Sequence, residues 1–325
     1  MADKPYDPCD QRDETKPITF WFQESHEGLV LFVVFYTLAC RWGVCSGCNL
    51  PSLSSSRHVG FRSLMAQIDR LYSEPEVVAK REKIRKIILS NNGSVLDEDT
   101  FSSTALIYFI AKTNTMIPNL NVLSIETRTE YVDLEELEFL GRALKEGDTP
   151  TDLELAIGFE AHDDRVRNKV FKKGLSLRAF EDFAGKISKF NFRLKCYFMQ
   201  KPVPGMTDEE AIRDIQNGID YLDGIAARFG LKINMHLNPT YVARGTSLED
   251  AFRRGEYRPP ELYDVAKAVL HALDKDISVY IGLFDEGLAV PGGSFIRPGD
   301  ENLVKRMEEF NKTQDFSSLY LLYLK

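Results

Sequence analysis

The sequence has few of the features that mark secreted, membrane-spanning or broadly nucleic-acid-binding proteins. Its most apolar run, Leu29 to Ala39, is shorter than the about 20 residues that a transmembrane helix needs. The first 28 residues are polar and acidic, without the basic start and small-residue cleavage site of a signal peptide. The 325 residues carry a net charge of −8, which excludes a surface that is basic throughout. These absences predict a cytoplasmic protein with no membrane partner.

Cysteine is also scarce, and its placement is informative. The five cysteines are an odd number, which does not suit a disulfide framework. Cys40, Cys45 and Cys48 form a C-x4-C-x2-C loop directly after the apolar run, whereas Cys9 and Cys196 lie far from it. Thiolates this close together can point at one centre, as an iron–sulfur cluster or a zinc ion requires. Three ligands would leave one iron of a four-iron cluster open to a non-protein ligand.

The cysteine loop (residues 40–48) has three other interpretations. A plant-type ferredoxin shares the spacing but adds a fourth cysteine, and the next one here is Cys196. A zinc site would need His26 or His58 to join Cys45 and Cys48, because no second cysteine pair exists. Buried free thiols are common in cores, but three in one polar turn are unusual. The pattern therefore favours the open four-iron cluster.

Apolar strand-like segments alternate with amphipathic helices along the chain. Strands are predicted at 29–39, 86–89, 122–125, 153–159, 192–199, 233–237, 277–283 and 317–324. Helices are predicted at 62–85, 101–113, 134–146, 163–171, 177–189, 208–229 and 260–273. Nearly continuous apolar strands between helices are typical of parallel sheets that are covered on both faces. We therefore expect an α/β fold with a partial or full (β/α) barrel at 21–285, after a disordered tail at 1–20. Residues 286–325 are expected to be a short C-terminal extension that packs on the barrel.

Polar side chains follow the ends of the predicted strands. They are Asn92, Gly93, Ser94, Glu126, Arg128, Glu160, Gln200 and Asn238. Each could be a cap or a turn residue taken singly. Because barrels of parallel strands place their chemistry at the C-terminal ends of the strands, the shared position predicts a site on that rim.

Three short stretches follow the cysteine loop in order: G-F-E at 158–160, P-G-M-T-D-E-E at 204–210, and N-P at 238–239 with G-T at 245–246. At these residues the chain resembles the radical S-adenosylmethionine (SAM) superfamily. The similar branch contains the Elongator catalytic subunit, the methylthiotransferases and oxygen-independent coproporphyrinogen oxidase. Residues 40–42, 125–132 and 254–260 further resemble the archaeosine-forming radical enzymes and their small relatives.

The chain departs from the superfamily pattern in three places. The usual spacing is C-x3-C-x2-C, and here one more residue separates Cys40 from Cys45. Gly47 replaces the usual aromatic residue before the third cysteine, so Trp42 is expected to stack on adenine instead. Only residues 92–94 represent the glycine-rich motif after the second predicted strand.

The resemblance implies a radical SAM barrel in which Cys40, Cys45 and Cys48 ligate a [4Fe–4S] cluster. The open iron would bind SAM, and reductive cleavage would give a 5′-deoxyadenosyl radical that abstracts hydrogen from a substrate. The implied SAM contacts are Asn92, Gly93 and Ser94 for the amino group, Glu126, Arg128 and Glu160 for the ribose or carboxylate, and Trp42 for adenine.

The substrate side is expected to be lined by His236, Asn238, Gln200 and Tyr241. The substrate would be a small molecule or a modified tRNA base, and the reductant a flavodoxin or ferredoxin. The sequence assigns no catalytic residue. Lys169, Lys172 and Lys173 are interpreted as a solvated helix face rather than a phosphate site. The alternative function is a non-catalytic iron–sulfur or zinc-binding barrel that serves as an interaction or electron-transfer module.

Overall fold

One curled sheet organises the chain in this computed structural model, which describes residues 8–285 and 287–320. Its strands, in spatial order, are β1 (Thr19–Ser25), β2 (Gly28–Val34), β3 (Ile84–Ser90), β4 (Val122–Thr127), β5 (Asp152–Glu160), β6 (Arg193–Gln200), β7 (Ile233–Pro239) and β8 (Ser278–Ile281). β1 is antiparallel to β2, and every later pair is parallel. The sheet forms a half-barrel, so of the two expected forms the partial barrel is correct.

Helices connect the strands and cover the outer face of the sheet. They are α1 (Phe61–Ser73), α2 (Pro75–Lys80), α3 (Ser103–Met116), α4 (Leu134–Ala143), α5 (Leu177–Ile187), α6 (Asp208–Phe229), α7 (Ser247–Arg253), α8 (Leu262–Val269), α9 (Glu301–Thr313) and α10 (Ser317–Tyr320). In the described part of the chain, none of them combines the length and the apolar character that a bilayer crossing demands.

The longest helix, α6, has local signals at both ends. The Thr207 side chain accepts a hydrogen bond from Glu210 N, and the Glu210 side chain accepts one from Thr207 N, which forms a capping box. Gly230, with φ of 64°, ends the helix in the left-handed conformation that glycine adopts without cost. These caps hold α6 between β6 and β7, where its apolar face joins the main core.

Strand alternation divides the side chains between two environments. Leu31, Ile87 and Leu123 point outward and belong to the main core between sheet and helices. Their neighbours Lys86 and Glu154 point into the barrel, where both are almost completely buried. Polar side chains therefore line much of the depth of the barrel interior, where they can contact a ligand as well as pack against one another.

The N-terminal end of the barrel is filled by buried charges. Lys86 Nζ contacts Glu27 at 2.6 Å and Glu154 at 2.7 Å, and Arg193 also pairs with Glu27. Lys195 Nζ donates to Asn234 Oδ1 at 2.6 Å. Such groups need partners because an unpaired buried charge is costly. The network occupies the rim opposite to the cysteine loop.

The start of the chain differs from the expectation. The sequence predicted disorder up to residue 20, and residues 1–7 of that tail lie outside the described residues. In the described part of the tail, Cys9 O accepts a hydrogen bond from Tyr36 Oη at 2.7 Å, and β1 begins at Thr19. β1 was not predicted. It forms a hairpin with β2 because its half-buried aromatic side chains pack beside that strand and Gly28, with φ of 99°, supplies the turn.

Three predicted elements also differ in detail. The helix predicted at 62–85 is divided into α1 and α2, because Pro75 cannot continue the first helix. Part of the helix predicted at 163–171 is a π-helical turn, Arg165–Val170. The strand predicted at 317–324 is wrong over 317–320, which form α10, and residues 321–324 lie outside the described residues.

Helix α9, in the segment predicted as a C-terminal extension, packs against both edge strands, β1 and β8. The Asn311 side chain pairs with N and O of Ile281, each at 2.8 Å. Gln314 pairs with N and O of Val279 in the same way. These amides stand in for the backbone of a ninth strand and protect the exposed edge of β8.

Candidate active site

A cavity of about 730 Å³ extends from the cysteine loop into the barrel. Eight of the ten cofactor and metal residues predicted from the sequence line it: Cys40, Cys45, Cys48, Asn92, Gly93, Glu126, Arg128 and Glu160. Ser94 and Trp42 are not among the lining residues. The residues predicted from the sequence therefore lie together at one rim of the barrel, and their roles in binding stay predictions.

The cysteine loop is held by the segment around residue 171. Ser46 N donates to Phe171 O at 2.9 Å, and Cys45 Sγ lies 3.9 Å from Lys172 O. Cys48 N donates to Cys45 O at 3.3 Å, which turns the last two cysteines toward the same wall. Burial raises the pKa of the Cys45 and Cys48 thiols, and Cys45 raises that of Cys48 further.

The zinc alternative for the cysteine loop requires a histidine as a further ligand. Within residues 8–285 and 287–320, no three Cys, His, Asp or Glu side chains are close enough to hold one metal ion. In a cubane each cysteine ligates a different iron, so its ligands are spaced more widely than those of a single ion. His26 lies in the β1–β2 turn at the opposite rim, and His58 Nδ1 contacts Asp99 O. Neither histidine is placed to complete a zinc site.

The loop after β3 packs directly on the first cysteine. A Cβ added to Gly93 would lie 3.2 Å from Cys40 Cα, so a larger residue would push this loop from its position. Asn92 adopts φ of 57°, the left-handed conformation that asparagine tolerates. Ser94 is buried, shares a 2.7 Å hydrogen bond with Thr127 Oγ1 and accepts one from Arg128 N. Ser94 thus joins the β3 loop to the end of β4.

Arg128 is fixed before any ligand binds. Its guanidinium lies over the Trp42 ring at 4.5 Å, Nη2 donates to Lys173 O at 3.1 Å, and Nε donates to Glu130. Trp42 Nε1 in turn donates to Lys172 O at 2.9 Å. In this position the indole supports Arg128, and its stacking on a bound adenine stays a prediction.

Glu160 and Lys173 form an ion pair inside the cavity. Lys173 Nζ contacts Glu160 Oε1 at 2.7 Å, and the two side chains are only 13% and 12% exposed. A Cβ at Gly158 would collide with both groups, so this glycine makes room for the pair. Burial lowers the pKa of Lys173, but Glu160 and Cys45 outweigh it and the pKa is raised. The sequence had grouped Lys173 with Lys169 and Lys172, and the structure separates it from them.

The deeper half of the cavity contains an acid and an imidazole. Tyr197 Oη donates to Glu126 Oε1 at 2.6 Å, and burial raises the pKa of Glu126 against the effect of its hydrogen bonds. Burial, together with Lys195 and Lys86 below it, lowers the pKa of His236 well below its ordinary value. His236 is therefore neutral at physiological pH.

His236 lies between two aromatic rings. The centroids of Tyr197 and Tyr280 are 4.8 and 4.7 Å from that of the imidazole. Its Nδ1 has no hydrogen-bond partner in the described part of the chain. A Cβ at Gly282 would lie 2.3 Å from Asn238 Oδ1 and 3.1 Å from His236 Nε2, so Gly282 makes room for the Asn238 side chain beside this nitrogen.

Three of the four predicted substrate-side residues line the cavity: His236, Asn238 and Tyr241. Gln200 does not. It is fully buried at the end of β6, and neither of its amide atoms has a partner among the described residues.

The cavity wall opposite β5 is aromatic. The sequence did not predict this wall because it did not predict β1. Trp21 of β1 stacks on Phe32 of β2 with a centroid distance of 4.2 Å and an interplanar angle of 11°. Phe284 meets the edge of Trp21 at 5.6 Å. Consecutive aromatic residues before the Gly28 turn were the available sequence signal for a hairpin here.

Comparisons with known proteins agree with this geometry. No family model matches the chain. Archaeosine synthase subunit beta of Methanosarcina acetivorans is 29% identical over 247 residues, which cover 74% of this chain and 66% of the relative. An uncharacterised protein of Methanocaldococcus jannaschii is 23% identical over 95% of this chain and 84% of its own length.

The structure of Elp3 from Methanocaldococcus infernus, with an N-terminal deletion, has a TM-score of 0.50 and 17% identity. That match covers 77% of this chain and 58% of the other. The chain spans less than two thirds of both the Methanosarcina relative and this structure. It has a radical SAM-like fold and is a distant homologue of archaeosine synthase subunit beta, as the sequence resemblance predicted.

Proposed function

We propose that this radical SAM-like chain is an enzyme that cleaves SAM reductively. Cys40, Cys45 and Cys48 would hold a [4Fe–4S] cluster, which supplies one electron to SAM and so yields a 5′-deoxyadenosyl radical that abstracts hydrogen from the substrate. One observation carries the proposal: the three thiols and the polar residues of strands β3 to β5 line the same end of one cavity.

The chain's own residues would bind and orient SAM beside the thiols. Gly93 keeps the β3 loop against Cys40, which leaves the Asn92–Gly93 backbone free to contact the amino group. Arg128 is held by Trp42 and Lys173 O and can offer its remaining N–H groups to a carboxylate. Glu160, held in place by Lys173, can accept a hydrogen bond from a ribose hydroxyl.

The deeper half of the cavity would hold the substrate and exclude water. Tyr197 orients the Glu126 carboxyl, and neutral His236 can accept or donate a hydrogen bond without carrying charge. The stacked Trp21 and Phe32 offer a flat aromatic surface to a planar group.

We further propose a modified tRNA base as the substrate, because curated relatives are named archaeosine synthase subunit beta. Retention of tRNA on the immobilised protein should then be strong at low salt and fall as salt rises. Absence of retention at low salt would favour a small-molecule substrate. The reductant in the cell would be a flavodoxin or ferredoxin.

Anaerobic reconstitution with iron and sulfide, followed by dithionite and SAM, tests the reaction. The expected product is 5′-deoxyadenosine. Cys45→Ala should abolish both the cluster absorbance and SAM cleavage, whereas Cys9→Ala should retain both, because Cys9 lies outside the cavity lining. A reconstituted four-iron cluster without 5′-deoxyadenosine would instead support the non-catalytic iron–sulfur protein.

A further inference from the structure

A small basic patch borders the cysteine loop on the outside of the barrel. It consists of Arg165, Lys169, Lys172 and Arg244, all exposed on a chain whose net charge is −8. Arg165, Lys169 and Lys172 form no ion pair within residues 8–285 and 287–320. The opposite charges nearest to them in sequence, Asp163 and Asp164, are already engaged with Val166 N and Arg167.

Both segments that carry the patch contact the cysteine loop through their backbones. From the first segment, Val170 O, Phe171 O and Lys172 O accept hydrogen bonds from Ser46 and Trp42. From the second segment, Arg244 O accepts one from Asn49, the residue after the third cysteine.

The cysteine loop itself is close to solvent. Cys40, Cys45 and Cys48 are half-buried rather than enclosed, and the loop's Arg41 is exposed. The patch therefore lies on the two segments that pack beside the loop that would hold a cluster.

We propose that the basic patch is the docking surface for a small acidic electron-carrier protein. This inference rests on the proposed function. The carrier would be oxidised by one electron, the cluster held by the three thiols would gain that electron, and no atom is transferred. Because electron transfer slows steeply with distance, a docking surface beside the cysteine loop is where the carrier has to bind. Opposite charge would speed its encounter despite the acidic remainder of the molecule.

The shape of the patch favours a protein partner over a nucleic acid. Nucleic-acid footprints are longer basic stripes that follow a phosphate backbone. Here four cations lie on two short segments beside one loop, which is a shorter footprint than such a stripe.

Charge reversal tests the proposal on the cluster-free protein. The variant combines Arg165→Glu, Lys169→Glu and Arg244→Glu. Lys172 is kept because its φ of 64° and its carbonyl contacts support the cysteine loop. The control combines Lys83→Glu, Lys189→Glu and Lys232→Glu, which make the same change of net charge before β3, β6 and β7 at the opposite rim.

The measurement is the association rate constant with an acidic, oxidised flavodoxin on a biosensor. At an ionic strength of about 0.01 M, we expect the patch variant to associate about tenfold more slowly and the control to change less than about twofold. The difference between the two variants should shrink at about 0.15 M salt, where screening shortens the range of the charges to about 8 Å.

Equal slowing of both triple variants would overturn the proposal, as would an absence of flavodoxin binding. Retention of tRNA that only the patch variant loses, without flavodoxin binding, would also overturn it in favour of a nucleic-acid site. Dithionite-driven formation of 5′-deoxyadenosine needs no carrier, so it reports on the proposed function separately. If that product forms while docking fails, only this inference is wrong.

Discussion

His236 should make the protein less stable as the pH falls, because burial keeps its imidazole neutral in the folded state. Lys195 and Lys86 lie below the ring, and Tyr197 and Tyr280 flank it, so no carboxylate among these neighbours favours the charged form. The unfolded chain exposes the same imidazole to water. Protons therefore bind the unfolded state preferentially.

The size of the effect follows from the ordinary histidine pKa of 6.5. A group whose pKa is lowered in the folded state does not reduce the free energy of unfolding at pH values above its ordinary pKa. Below the ordinary pKa, it reduces the free energy of unfolding more and more as the pH falls. At pH 7.5 the preference is negligible. At pH 5.0, about 1.5 pH units below the reference value, it amounts to about 2 kcal/mol at 1.36 kcal/mol per unit.

The assay compares wild type with His236→Gln in urea unfolding of the metal-free chain at pH 7.5 and pH 5.0. The stability advantage of wild type over the variant should shrink by about 2 kcal/mol between the two pH values. Other titrating groups, including the partly buried His26 and His162, cancel in this difference. The exposed His58 provides the control, since His58→Gln should follow wild type at both pH values. An advantage that does not change with pH would refute the buried neutral imidazole.

Three further predictions use other parts of the structure. Burial raises the pKa of Glu126, so the wild type should lose stability relative to Glu126→Gln as the pH rises from about 4 to about 7 in urea unfolding, and an opposite trend would contradict this. Gly93→Ala should lower the iron content after reconstitution because its Cβ meets the Cys40 backbone, whereas Gly60→Ala, which meets nothing within 4 Å, should bind iron normally. Asn311→Leu should lower the free energy of unfolding by about 2–4 kcal/mol, because the buried N and O of Ile281 lose their hydrogen-bond partner. The control, Asn302→Leu on the exposed face of α9, should change the free energy of unfolding little. Equal losses in the two variants would disprove the role of Asn311 at the sheet edge.

Much of the fold could be predicted from local patterns. The apolar runs of β2 to β8 are separated by helical segments, and that alternation is sufficient to predict a parallel barrel. β1 was not predicted because it is half-buried and follows a polar segment. Its pairing with β2 and the packing of α9 against it stabilise this strand.

The candidate site was predictable in position but not in its contacts. The cysteine loop and Asn92 follow strands, Glu126 and Glu160 lie in the last residues of β4 and β5, and parallel strands bring their C-terminal ends to one rim. Lys173 lies 13 residues from Glu160 in a run of lysines, and nothing in that run distinguishes the buried lysine from the exposed ones.

The sequence by itself determined the alternation of strands and helices, the rim on which polar residues gather and the three thiols that lie there. Those properties depend on neighbours a few residues apart, whose spacing is written directly in the chain. Only the tertiary structure decided that Trp42 supports Arg128, that Gly158 shelters the Glu160–Lys173 pair and that His236 is neutral. Each of these depends on burial and on partners from distant segments, and desolvation and pairing act only once the sheet has curled and brought them together.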